Sequence, residues 1–250
     1  MHFDVITLLP DVVEGYLDAS VLGRARAAGA FSARTVDLRA YGEGKHRQVD
    51  DAPYGGGAGM VLAPGPLVRA IEDCVAEVPS GRRVARLLMA PGGEVLNREL
   101  AGRLAADYDH LVLVCGRFEG VDARVGDWLD GHVSLGDVVL TGGEIAALAI
   151  VDSVCRLLPN VLGNAASAQD ESFEGPLLEY PQYTRPRAFR DREVPPVLLT
   201  GDHKKIGEWR QRRAVEETRI RRPERLEDRE ALPREIRKLV EELDKSDGEE

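Results

Sequence analysis

The sequence predicts an α/β domain on a mostly parallel sheet, followed by a small all-helical C-terminal domain. Three observations predict it. Short apolar runs of strand length alternate with helix-length stretches as far as residue 163. Glycine-rich loops directly follow several of those runs. Beyond residue 163 the strand pattern stops, and the chain reads as helical and densely charged. The boundaries that follow are 1–163 for the α/β domain, 164–173 for a linker of small and polar residues, and 174–250 for the helical domain with an acidic tail.

Taken in order, residues 3–9 form an apolar run closed by Pro10 and read as a strand, with 12–28 as one helix after it. Residues 31–38 fit a second strand. Pro64 and Pro66 open a helix that runs to about residue 77, where Pro79-Ser80-Gly81 stops it. Residues 84–88 are a buried strand, 97–107 a helix with Asn97 as its N-cap, and 111–115 another buried strand. Residues 143–157 read as a helix closed by Pro159.

Composition narrows the function. With 250 residues and 43% hydrophobic content the chain can bury a real core. Its longest apolar run, 145–151, falls far short of a membrane span. The opening MHFDVITLLP has neither a basic n-region nor a cleavage site, so no secretory signal is expected. Cys74, Cys115 and Cys155 stand apart and form no CxxC pair, which suits buried, reduced thiols in a cytoplasmic protein. A net charge of −10 argues against an indiscriminate nucleic-acid binder, and neither DNA nor a membrane is expected as a partner. The charge is uneven, however. Residues 203–222 carry eight basic residues against three acids, whereas 223–250 carry six against eleven. Arg185, Arg187, Arg190 and Arg192 extend the basic strip upstream. Such a strip is either a solvated helical face or a phosphate-binding surface.

Three loops follow apolar strands: APGGEVL at 90–96, CGRFEG at 115–120 and LGDVVLTGGE at 135–144. Ligands of open α/β sheets bind outside the carboxyl ends of strands, and glycine lets backbone approach them closely. Known nucleotide motifs do not fit. YGGGAGM at 54–60 lacks the Gly-Lys-Ser/Thr ending of a P-loop, and no GxGxxG follows a strand. There is no GxSxG, no HExxH and no zinc-spaced His/Cys cluster.

Seven blocks, VDDAPYGGGAGM (49–60), VLVCGRFEGVDARV (112–125), SLGDVVLTGGE (134–144), DSVCRLLPNVLG (152–163), LLEYPQYTRP (177–186), VPPVLLTGDH (194–203) and RRPERL (221–226), run in order along the chain. Together they closely resemble the bacterial tRNA (guanine-N1)-methyltransferase family, TrmD. The resemblance implies a SPOUT-type α/β domain with a deep trefoil knot, then a linker and a small helical domain. It also implies methyl transfer from S-adenosylmethionine to N1 of the guanosine immediately 3′ of the anticodon, position 37 of tRNA. Homodimers with a shared active site are implied as well. So is a magnesium requirement, although no metal site is recognisable in the sequence.

The resemblance assigns roles residue by residue. Leu88, Met89, Ala90, Gly116, Leu135, Gly136, Asp137, Val138, Val139, Leu140, Gly142 and Gly143 fall on the cofactor pocket, with Glu119 near the methionine moiety. The general base is a linker carboxylate placed immediately before Ser-Phe. Counting back from Ser172-Phe173 puts Glu171 there, whereas residue type favours its neighbour Asp170, so both stand as candidates. Arg156 matches the arginine that stabilises guanine O6, and Asp152 sits one turn before it. Val138 replaces a tyrosine of many members, and Gly143-Glu144-Ile145-Ala146 lacks the proline they have after the glutamate.

The basic strip then reads as a tRNA surface, with Arg185, Arg187, Lys204, Lys205, Arg210, Arg212, Arg213, Arg219, Arg221 and Arg222 as phosphate contacts. Tyr54, Phe118, Tyr180 and Trp209 are the candidate stacking rings. The competing readings are another SPOUT methylase, a non-catalytic RNA-binding protein and a nicotinamide-dependent dehydrogenase.

Overall fold

The computed structural model describes residues 1–162 and 172–247. By its contacts the chain separates into two compact units, Met1–Gly163 and Asn164–Glu250.

In the first unit, β1 (His2–Thr7) leads into α1 (Pro10–Leu17) and α2 (Ser20–Ala27), then into β2 (Ser32–Asp37). One helix was expected over 12–28, but two form. The break falls at Asp18 and Ala19, where Ala19 is extended and Ser20 has φ of 50°, and Gly23 lets α2 pack against it, since a Cβ there would lie 2.1 Å from the Asp18 carbonyl oxygen. Next come a small antiparallel pair, β3 (Asp50–Asp51) and β4 (Val61–Leu62), and α3 (Pro64–Ala76), which has proline in its first turn. After β5 (Val84–Val95), the Asn97 side chain accepts from the Leu100 N–H at 2.8 Å and starts α4 (Arg98–Asp107). β6 (His110–Cys115), β7 (Gly131–Ser134) and α5 (Glu144–Cys155) complete the unit.

The sheet order is β2-β1-β6-β5-β7, and every pairing is parallel. Alternate residues of the central strands point to opposite faces. Phe3, Val5, Leu111 and Leu113 join α1, α4 and α5 residues in one core, while Ile6, Val112 and Val114 meet Leu67, Ala70 and Ile71 of α3 in the other. Burial on both faces is why β6 reads as an unbroken apolar run.

Two strands differ from expectation. β5 continues past residue 88 to Val95, with a register shift between Met89 and Glu94 where Gly92 and Gly93 lie. At Gly93 a Cβ would lie 2.4 Å from the Val133 N atom, so only glycine lets β5 and β7 run this close. β7 has four residues, too short for an apolar period to mark it.

The second unit is predominantly helical. α6 (His203–Arg221) starts at Asp202, whose side chain accepts from the Lys205 N–H, and α7 (Arg234–Asp247) follows. Val215, Leu226, Leu232, Ile236, Val240 and Leu243 form its core. The expectation of an all-helical domain needs one correction. A small hairpin, β8 (Ala188–Phe189) with β9 (Arg192–Glu193), precedes the helices. Pro176, Pro181, Pro186 and Pro195 deny this stretch the backbone donors of a helix. Among the described residues no helix is long and apolar enough to cross a membrane.

Candidate active site

Three loops meet at the carboxyl ends of β5, β6 and β7 and enclose a cleft of about 290 Å³. Leu88, Met89 and Ala90 come from the end of the buried part of β5, and Gly116 and Glu119 from the loop after β6. Leu135, Val138, Val139, Leu140, Gly142 and Gly143 come from the loop after β7. The expected cofactor residues are thus brought together. Gly136 and Asp137 are not on the wall. Gly136, with φ of 118°, instead turns the loop: its N–H donates to Ser134 Oγ at 3.1 Å, and its carbonyl accepts from the Val138 N–H at 2.8 Å. Asp137 is exposed beside it.

The third loop is stitched to the second. Gly143 N–H donates to the Gly116 carbonyl at 2.8 Å, and Arg117 and Gly142 form an isolated antiparallel bridge. At Gly143 a Cβ would meet Cys115 Cα and Met89 Cβ, each at 2.8 Å. Beneath the loop lies Glu144, 4% exposed, in the first turn of α5. Its carboxylate accepts from Thr7 Oγ1 at 2.8 Å and from Arg117 Nη1 at 3.3 Å. Sequence reading missed Thr7, Arg117 and Glu144 because no motif links residues so far apart in the chain.

Glu119 is exposed, with its side chain against the backbone of Gly59, where a Cβ would lie 2.4 Å from Glu119 Cγ. The Glu119 N–H donates to the Met60 carbonyl, so the glycine-rich segment braces this loop. Phe118 also lines the cleft, half exposed, whereas Tyr54 is fully exposed. Cys115 is buried, and burial pushes its thiol well above the usual range, so it is no nucleophile. An apolar wall with exposed loop backbone fits an adenosine moiety, whose polar edge takes hydrogen bonds from main chain. Glu119 at its mouth fits an ammonium group.

Arg156 is the exposed C-cap of α5, and its N–H donates to the Asp152 carbonyl at 3.0 Å. The Asp152 carboxylate takes the Tyr16 hydroxyl at 2.6 Å, raising the Tyr16 pKa. Asp170 and Glu171 lie outside the described residues.

A family model described as tRNA (Guanine-1)-methyltransferase TrmD matches residues 1–228. The chain belongs to this family. A tRNA (guanine-N(1)-)-methyltransferase of Anaeromyxobacter sp. (strain Fw109-5) is 56% identical over 229 residues, 91% of each chain. That of Moorella thermoacetica is 48% identical over 252 residues, covering 100% of this chain and 99% of its own. The crystal structure of tRNA (m1G37) methyltransferase from Aquifex aeolicus aligns with a TM-score of 0.73 at 38% identity. That alignment covers 89% of this chain and 93% of the Aquifex one. Membership makes this chain a methyltransferase, and the family's chemistry implies S-adenosylmethionine as methyl donor.

A magnesium ion prefers oxygen ligands in octahedral geometry. Among the described residues of this TrmD-family chain, the one cluster with metal-ligand spacing is His2, Asp4 and His110, two imidazoles and one carboxylate already held by Arg34, which does not suit a hard cation.

The cations expected to contact tRNA divide into two groups. Lys204, Lys205, Arg212, Arg213, Arg219, Arg221 and Arg222 each pair with an acid of the same unit, Arg219 with Asp244 and Arg221 with Glu217 among them. Arg185, Arg187 and Arg210 have no acidic partner among the described residues. Tyr183, which sequence reading passed over, lies beside Trp209 with ring centroids 6.2 Å apart.

Proposed function

We propose that this protein methylates N1 of the guanosine at position 37 of tRNA, forming 1-methylguanosine. The observation that carries the reading is the closure of three glycine-bearing loops over the strand ends in a chain that matches the TrmD family model across residues 1–228. The Aquifex relative, described as an m1G37 methyltransferase, supports the position. The return of residues 142–143 to Gly116, under a loop that left the edge strand β7, supports the trefoil knot.

S-adenosylmethionine, when bound, supplies the methyl group. Leu135, Val138, Val139, Leu140 and Leu88 would hold its adenosine end, and Glu119 its amino group. N1 of guanine carries a proton at neutral pH, and Glu171 takes it, with Asp170 as the alternative base one residue earlier. Arg156 donates to O6, where charge collects as N1 is deprotonated.

Two copies share the site. Leu9, Val12 and Tyr16 around α1 and Ile145 on α5 are exposed apolar residues of the unit that carries the cleft, and they suit a self-complementary interface. Buried, unpaired cysteines suit the reducing cytoplasm.

The test is incubation of unmodified tRNA transcripts with labelled S-adenosylmethionine and mapping of the product nucleoside. Label at N1 of guanosine 37 is expected. Label at any other position or on ribose would sink the assignment.

A further inference from the structure

The second unit holds a cavity of about 500 Å³ between the extended segment 180–187 and helix α6. Three rings border it. Tyr183 and Trp209 are inclined at 57° to each other, Tyr183 is 44% exposed, and the Arg210 guanidinium lies 4.8 Å from the Tyr180 ring centroid. Leu198 and Ile206 add apolar wall. Arg185, Arg187 and Arg210 line this same cavity, and of the ten cations expected to contact tRNA they are the three without an acidic partner among the described residues. Three guanidinium groups that no acid neutralises therefore stand where the unit's aromatic surface is open.

An open ring face beside unneutralised guanidinium groups is the chemistry of single-stranded nucleic acid, whose bases stack on aromatics while phosphates meet arginine. A base-paired helix would present phosphates to the arginines and nothing to the rings. The volume also matches a small-ligand site rather than a flat surface.

We infer that this cavity takes one unstacked nucleotide of the bound tRNA, its base against Tyr183 and Trp209 and its phosphate on Arg185, Arg187 and Arg210. The inference rests on tRNA being the substrate. Because stacking reads the π-face and not the base edge, the cavity accepts any base. It anchors a neighbour of the target rather than selecting the target itself.

The chain has two tryptophans, so Trp128→Phe leaves Trp209 as the reporter. Titrating this full-length variant with a single-stranded heptauridylate, which contains no guanosine, should give saturable quenching of Trp209 fluorescence. Tyr183→Leu in that background should weaken the oligonucleotide about tenfold, and Tyr183→Phe should restore it. Arg187→Gln should reduce the slope of log affinity against log salt by about 0.7. On tRNA, Tyr183→Leu should raise KM with kcat retained. Absence of quenching, equal affinity in Tyr183→Leu, or equal quenching by a polyglutamate peptide would overturn the inference. Heptauridylate binding without methylation of tRNA would sink the proposed function and leave the cavity standing; methylation without heptauridylate binding would do the reverse.

Discussion

Arg117 donates to Glu144 at 3.3 Å beneath the candidate cofactor cleft, joining the loop after β6 to the first turn of α5. Thr7 at the end of β1 completes the set from a position 137 residues away. Both loops that close the cleft are thus tied to one buried carboxylate, so the shape of the cleft and the stability of the unit depend on the same contact.

Arg117→Ala leaves Glu144 buried with a hydroxyl as its remaining side-chain donor. Removing the partly exposed guanidinium from a buried carboxylate costs about 1–3 kcal/mol. Urea denaturation should register a loss of that order, and calorimetry should record weaker S-adenosylmethionine binding. Unchanged stability would mean that Glu144 is held by other contacts.

Gly143→Ala tests the close approach of the loops. The added methyl would meet Cys115 Cα and Met89 Cβ at 2.8 Å, and backbone on that side cannot swing away as a flexible side chain would. Overpacking of this kind costs about 1–3 kcal/mol. A fall in cofactor affinity exceeding the fall seen for Gly15→Ala, where nothing lies within 4 Å, is the expected outcome.

Asp4 gives the pH dependence. Its carboxylate is fully buried; burial alone would raise its pKa, but hydrogen bonds from His110, His2 and Arg34 outweigh that and hold it well below the usual range. The folded state therefore binds this proton less readily than the unfolded chain, whose aspartates titrate near ~3.9. Stability from Asp4 is complete above that pH and is lost as pH falls below it. Urea midpoints measured from pH 7 down to about 2 should fall more steeply below about pH 4 for the wild type than for Asp4→Asn, which should already be less stable at neutral pH. Parallel curves would contradict the account.

Much of this was legible in the sequence where burial leaves a pattern. The apolar run 111–115 marked β6, and Asn97 marked the start of α4, because one needs burial on both faces and the other a side-chain acceptor. The three loops could be recognised by their glycines, which the close approaches at Gly93 and Gly143 demand. What was illegible is tertiary. The α1–α2 corner is packed through a close approach of Gly23 to Asp18, β7 is too short for a period, and the Thr7–Glu144–Arg117 set spans most of the unit. Likewise the ten cations looked equivalent until their acidic partners were placed, and Tyr183 gained meaning only from Trp209.

The central claim is that Arg156 and a linker carboxylate carry out proton removal and charge stabilisation at guanine N1. Single-turnover methyl transfer to transcripts with guanosine or adenosine at position 37 tests it most directly, using wild type, Arg156→Ala, Glu171→Gln and Asp170→Asn at saturating S-adenosylmethionine. The account predicts transfer to the guanosine transcript alone, with the rate lowered on the order of 10²-fold or more in Arg156→Ala and Glu171→Gln and largely kept in Asp170→Asn. Full rates in both Arg156→Ala and Glu171→Gln, or equal transfer to adenosine, would contradict it.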